Sequence, residues 1–166
     1  MKKGTIIILV SIVAAVAVIA LIAVLGSQPE YIDSVASVDL AMVGKASFET
    51  SGGVKMLDDD VILKYTDEDL PYLKDYSVIK AKASNNINEF GIFRVEEGHA
   101  KELEAIIRTF LEHQQESFRG MNYFPEEIEK INCATVKVYG NYVVYSFLNE
   151  VDTEAFYAAI EKEITK

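Results

Sequence analysis

Residues 5–25, TIIILVSIVAAVAVIALIAVL, carry no charge, and their only polar side chains are the hydroxyls of Thr5 and Ser11. At a rise of about 1.5 Å per residue, a helix of this run spans roughly 30 Å, the thickness of a bilayer's hydrocarbon core. A cleaved signal usually has a shorter apolar core of about 7–15 residues, so the length predicts a transmembrane anchor that is retained. Val24-Leu25-Gly26 followed by Ser27-Gln28-Pro29 resembles a small-x-small cleavage site, which keeps a cleaved signal as the alternative. No cysteine closes the span, which excludes a lipoprotein anchor.

Lys2 and Lys3 precede the run, and Glu30, Asp33 and Asp39 are the first charges after it. The positive-inside bias then leaves residues 1–4 as a cytoplasmic stub and sends the rest across a single-pass cell membrane. So short a stub carries no output domain. The exported part, residues 27–166, holds 14 basic against 26 acidic side chains, a net charge of −12. Such a surface disfavours nucleic acid and anionic headgroups as partners approached through bulk charge. Its 140 residues suffice for one domain with a real core. Cys133 is the only cysteine, so no intrachain disulfide can brace that domain.

After a linker at 26–32, residues 33–76 read as a helical lead. Asp33 can cap a helix running through Ala46, Ser51-Gly52-Gly53 breaks it, and a second helix is expected from Asp58 through Tyr65. Thr66-Asp67 reads as the cap of a short helical turn carrying Leu70, Pro71, Tyr72 and Leu73.

Residues 77–166 read as the core of the domain. YSVIKAKASNNINEFGIFRV alternates about Asn85-Asn86, residue types that tolerate the positive φ of a tight turn. That turn would set Ala81 against Phe90, Ile79 against Ile92 and Lys82 against Glu89. In CATVKVYGNYVVYSF, a Gly140-Asn141 turn pairs Val138 with Val143, Val136 with Tyr145 and Ala134 with Phe147 on one face. Thr135, Lys137, Tyr139, Tyr142 and Ser146 then fall on the other face, expected to meet solvent. Between the hairpins, Leu103, Ile106, Ile107, Phe110 and Leu111 form the apolar stripe of a helix over 99–119. Pro125 opens a short helix, and Asp152 or Thr153 caps a last one over 152–165. The expectation is an α+β domain in the order α-α-β-β-α-α-β-β-α. Its two hairpins would form one four-stranded antiparallel sheet with both long helices on its inner face.

LKYTDEDLPYLKDYSV, then NEFGIFRVEEGHAKELEAIIRTFLEHQQESF, then YFPEEIEKINCATVKVYGNYVVYSF, resembles the bacterial family called domain of unknown function 4358 over roughly residues 55–150. The most specific pieces are EFGIFRV, FPEE and GNYVVY. The resemblance implies a small exported or membrane-anchored protein. It brings no activity and no catalytic residues.

Candidate chemistry is sparse. Cys133 opens a strand without a partner that spacing identifies, so it reads as a structural thiol. His99 and His113 would lie about four helical turns apart, roughly 20 Å, too far to share a metal. Asp58-Asp59-Asp60 lacks the alternating acids and turn glycine of a calcium loop, Ser51-Gly52-Gly53 lacks the Lys-Ser/Thr of a phosphate loop, and Glu96, Glu97, Glu102 and Glu104 suit a helix start. No catalytic, cofactor or metal residue is assigned. Tyr139 and Tyr142, side by side with Lys137 at a hairpin tip, are the candidate partner surface. The expected role is a non-enzymatic interaction module binding another component of the cell envelope. A small-molecule-binding accessory domain is the alternative, and an envelope hydrolase comes third.

Overall fold

The computed structural model describes residues 29–48, 53–57, 59–119 and 124–166. The stub, the apolar run 5–25 and the linker up to residue 28 lie outside the described residues. Among those described, no helix is long and apolar enough to cross a membrane. The chain divides after Glu30, and the unit Tyr31–Lys166 carries every element named below.

The fold is α+β. In chain order it runs α1 (Ser37–Ala46), β1 (Val54–Met56), a 3-10 helix (Asp59–Lys64), β2 (Leu73–Ala81) and β3 (Glu89–Val95), then α2 (Ala100–Phe118), α3 (Pro125–Asn132), β4 (Thr135–Tyr139), β5 (Tyr142–Phe147) and α4 (Glu150–Ile164). The sheet has five strands in the order β1-β2-β3-β5-β4, every neighbouring pair antiparallel. The strand missing from the expected four is β1, whose three residues are too few to show an alternation.

The two long helices, expected from the sequence to share one face, cover opposite faces of the sheet. On one side Leu40 and Ala41 of α1 and Phe156, Tyr157, Ile160 and Ile164 of α4 pack on Ile79, Phe90, Ile92, Tyr142 and Val144. On the other, Leu103, Ile107, Phe110 and Leu111 of α2 and Ile131 of α3 pack on Val78, Phe93, Val136, Val143 and Tyr145. A sheet buried on both sides cannot alternate apolar with polar, and all six residues of β5 are buried.

Of the set expected to meet solvent on the second hairpin, Thr135 and Lys137 on the edge strand β4 are exposed, but the other three are not. The hairpin's register is as expected, with Val138 opposite Val143, Val136 opposite Tyr145 and Tyr139 opposite Tyr142. Yet Tyr139 is 5% exposed and Tyr142 and Ser146 are 0% exposed, because α1 and α4 lie over them. Gly140 takes φ +58 in the turn while Asn141 stays at negative φ, the sign pattern of a II′ hairpin turn.

The first hairpin is shifted by two residues from the expected pairing. Ile79 faces Phe90, Ser77 faces Ile92 and Lys80 faces Glu89. Neither Asn85 nor Asn86 adopts positive φ. The chain instead turns at Ala83–Asn86, where the Asn86 amide donates to the Ala83 carbonyl at 3.2 Å and the Asn86 side chain accepts from the Asn88 amide at 2.8 Å. A shift of two leaves each side chain on its expected face. Gly91 sits where a Cβ would collide with the Tyr145 ring, so this point of β3 admits no side chain.

The helical lead also differs. The Asp58–Tyr65 segment is a 3-10 helix from Asp59 to Lys64, and residues 66–72 form turns before Leu73 starts β2. Asn149, not Asp152 or Thr153, caps α4, its side chain accepting from the Asp152 amide at 2.9 Å. Helix α1 starts at Ser37, and its N-cap, Ala36, has no side chain to offer. Asp75 of β2 supplies the cap, accepting from the Ser37 amide at 3.0 Å. Arg94, its cross-strand neighbour, donates to the same carboxylate through Nε at 2.9 Å. Asp33, the expected cap, instead accepts from Lys74 at 2.8 Å and Asn141 at 3.2 Å.

Partial burial pushes the Asp75 carboxyl up, but its bonds from Ser37 and Arg94 outweigh this and hold it below the usual carboxylate range. Its contribution to stability is therefore complete above the unfolded-state pKa of about 4 and is lost as pH falls through the lower folded value. Asp75→Ala should cost about 2 kcal/mol in urea unfolding of residues 27–166 at pH 7, followed by circular dichroism. The gap from the unsubstituted protein should narrow at pH 3. A gap that widens in acid would contradict this assignment.

Candidate functional site

The shift of the first hairpin builds an unexpected feature at the sheet end where β2 finishes and β3 begins. Lys80 and Lys55 lie directly opposite each other on β2 and β1. Two residues on, the Lys82 amide donates to the Gly53 carbonyl at 3.1 Å, closing the strand end. These lysines and Lys64 of the 3-10 helix border a cleft of about 440 Å³. Its lining also holds apolar side chains, Phe110 and Phe118 of α2, Ile131 of α3, Phe147 of β5 and Ile87 of the hairpin loop, with the polar Gln114 and Asn86 among them.

Glu89 lies in the wall of the cleft, 6% exposed. It is ion-paired with Lys64 and accepts from the Tyr145 hydroxyl at 2.7 Å. The Tyr65 hydroxyl lies 2.6 Å from that of Tyr145, extending the chain of bonds. Burial, and then the Glu89 charge, push both phenols well above their ordinary pKa. They remain protonated donors that hold the carboxylate in place. Lys64 also lies 5.0 Å from the centre of the Phe110 ring, so its charge is shared between a carboxylate and an aromatic face.

The loop rim is fastened from α3. Glu127, 7% exposed, accepts from the Ile87 amide at 2.7 Å and from Lys130 at 2.8 Å, and Lys130 also reaches Asn86 at 3.4 Å. The acids after Pro125 were legible as helix-start charges. Glu127 does more, because a nearly buried carboxylate needs partners and finds them in the loop.

The residues singled out from the sequence lie elsewhere. Lys137 is exposed, with Nζ 4.5 Å from the centre of the Tyr157 ring. Tyr139 and Tyr142 are interior: Tyr139 packs edge-on against Tyr31 with centroids 5.5 Å apart, and the Tyr142 hydroxyl donates to the Val35 carbonyl at 2.7 Å. The three therefore do not form an exposed aromatic tip. Cys133 is half-buried at the end of α3, where burial and then Glu129 and Glu150 push its thiol pKa up, away from the thiolate. His99 stacks on Tyr72 at 4.5 Å and meets Glu102 at 3.0 Å, Glu104 pairs with Arg108, and His113 is exposed. Asp58, Ser51 and Gly52 lie outside the described residues, as do the side chains of Asp59 and Asp60. Among the described residues no three His, Cys, Asp or Glu side chains are grouped to hold a metal.

A family model described as Domain of unknown function (DUF4358) matches residues 50–148. The chain belongs to that family. No curated protein and no solved structure matches it. The DUF4358 segment contains all five strands, α2, α3 and every residue bordering the cleft, whereas α1 and α4 flank it.

The cleft was legible only in part. IKAKA places two lysines at alternate positions of a strand in a chain of net charge −10, and NEFGIFRV holds one acid in an otherwise apolar strand. Both are signals of charge with a fixed address, but the expected pairing of Lys82 with Glu89 absorbed them as a surface ion pair. If Glu127 fastens the rim, Glu127→Ala should cost about 3 kcal/mol. It should also raise amide hydrogen exchange at Ile87 and its neighbours far more than in β5. Unchanged protection at Ile87 would show that the loop is held by other means.

Proposed function

We propose that this DUF4358 protein is a single-pass, membrane-anchored module on the outer face of a bacterial cell membrane, and that it binds a ligand in the lysine-bordered cleft without transforming it. The anchor rests on the apolar run 5–25 and on Lys2-Lys3 before it. The binding role rests on one observation: an open cleft bordered by both cationic and apolar side chains, at the margin of the α2 packing layer. Burial of Tyr139 and Tyr142 leaves the envelope-partner reading without the surface expected to serve it, so the small-molecule reading moves ahead of it.

The hydrolase reading has little support in the cleft. Its one acid, Glu89, is held by Lys64 and Tyr145, and Cys133, His99 and His113 are not among the residues that border it.

The full chain, purified in mild detergent from its native membrane, should carry a small molecule detectable by native mass spectrometry. That molecule should be absent from Lys80→Glu/Lys82→Glu and unaltered on standing. A chain without a bound molecule, or one that converts its ligand, would overturn the binding reading. Location has its own measurement. Protease added to intact protoplasts should remove the acidic domain and leave a membrane fragment of about 26 residues. Recovery of the domain from the medium with Ser27 or a neighbour at its N-terminus would replace the anchor by a cleaved signal.

A further inference from the structure

The lysines at the cleft are arranged in a way that ordinary surface design does not explain. A lysine on an edge strand guards against edge-to-edge pairing, and Lys55 on β1 could serve that purpose alone. Lys80 is on β2, hydrogen-bonded on both sides between β1 and β3, and needs no guard. It nevertheless stands directly opposite Lys55, and like charges so placed destabilise a sheet. Lys82, just past the end of β2, borders the same cleft. Among the described residues none of the three makes an ion pair, whereas Lys64 is taken by Glu89. Three lysines without an ion pair among the described residues thus converge in a chain whose net charge is −10, and the one acid that borders the cleft, Glu89 opposite Lys80, is taken by Lys64.

The apolar side chains that line the same cleft have the opposite character. Phe110, Phe147 and Ile131 are each at most 5% exposed, and Phe118 and Ile87 are half-buried at the cleft's margin. A bare anion would satisfy the lysines and leave these side chains wet. A neutral apolar molecule would cover them and leave the like-charged pair unrelieved. A polyanion such as nucleic acid would be repelled by the rest of the surface.

We infer that the cleft binds a small acidic amphiphile, with an anionic phosphate- or carboxylate-type head held by Lys55, Lys80 and Lys82 and an apolar chain or ring laid against Phe110, Phe118 and Ile131. The inference rests on the binding role proposed above and names its ligand class. The volume of about 440 Å³ lies within the range of about 300–1,000 Å³ usual for small-ligand sites. The same chemistry is found in soluble acidic amphiphiles and in membrane lipids with anionic heads.

The full chain in phosphatidylcholine nanodiscs can be titrated calorimetrically, below micelle formation, with decyl phosphate, decyl maltoside, decyltrimethylammonium and inorganic phosphate. Each heat is referred to Lys80→Glu/Lys82→Glu in the same discs, which subtracts partition into lipid. Decyl phosphate should bind at least tenfold more tightly than any other probe, and the advantage should vanish in the double variant. Gln114→Glu, which adds an acid at the cleft without removing a lysine, should weaken decyl phosphate severalfold. It serves in place of the double variant if circular dichroism shows that the latter has not folded.

Equal affinity for decyl maltoside and decyl phosphate would overturn the acidic head, and equal affinity for inorganic phosphate would overturn the apolar part. Either result leaves the binding role standing. Failure of every probe, with no co-purifying molecule, would remove the binding role as well. Repeating the titration with phosphatidylglycerol in the discs separates the sources. Competition supports the inference with a lipid as occupant, and an undiminished affinity supports it with a soluble amphiphile.

Discussion

Tyr142 and Tyr145 leave β5 on opposite faces of a sheet that has no wet side, and each must find a partner for its hydroxyl inside the protein. Tyr142 finds it in the backbone of Val35, donating to its carbonyl at 2.7 Å and accepting from its amide at 3.1 Å. Tyr145 finds it in Glu89 and Tyr65. The first pair of bonds fixes where the chain enters α1, and the second fixes the carboxylate in the wall of the cleft. Both the docking of the lead and the form of the site thus depend on how two buried phenols of one strand are satisfied.

The remaining polar groups at the lead follow the same requirement. Helix α1 has no cap of its own, so Asp75 provides one from the sheet, and Arg94 balances that carboxylate while also donating to the Asp33 carbonyl at 3.1 Å. Tyr31 forms a β-bridge with Thr165, and the Ile32 amide donates to the Ile164 carbonyl at 2.8 Å. Residues read from the sequence as the end of a linker are therefore hydrogen-bonded to the end of α4. The exchange is cooperative: a carboxylate at a helix start gains from the helix dipole, and an arginine beside it gains from the carboxylate.

What the sequence disclosed and what it hid divide by range. Periodicity located α2 and β4–β5 because Leu103, Ile107 and Phe110, or Val136 and Val138, repeat within one element, and Pro125 marked the start of α3. The second hairpin kept its register because Gly140 supplies the turn. The first did not, because Asn85 and Asn86 tolerate positive φ without requiring it, and side-chain bonds within the loop set a longer connection. The side of the sheet on which each helix packs is not written in either helix. It was inferred from a polar face that Tyr139, Tyr142 and Ser146 only resembled, since tyrosine reads as polar in an alternation and as aromatic in a core. The cleft was hidden for a related reason. Its lysines come from β1, the 3-10 helix and β2, and their convergence depends on a three-residue strand that no pattern marks.

The family segment, residues 50–148, does not complete the domain by itself. It holds the whole sheet and the layer of α2 and α3, but Phe90, Ile92, Tyr142 and Val144 on the far face are covered by α1 and α4, which lie outside it. A sheet with those side chains bare would present a broad apolar patch to water. The flanking helices therefore close the face remote from the cleft. The α1 and α4 side of the sheet is closed, and the α2 side forms the cleft. With the sheet between, α1 and α4 contribute no residue to the cleft, which is lined by side chains from Lys55 to Phe147.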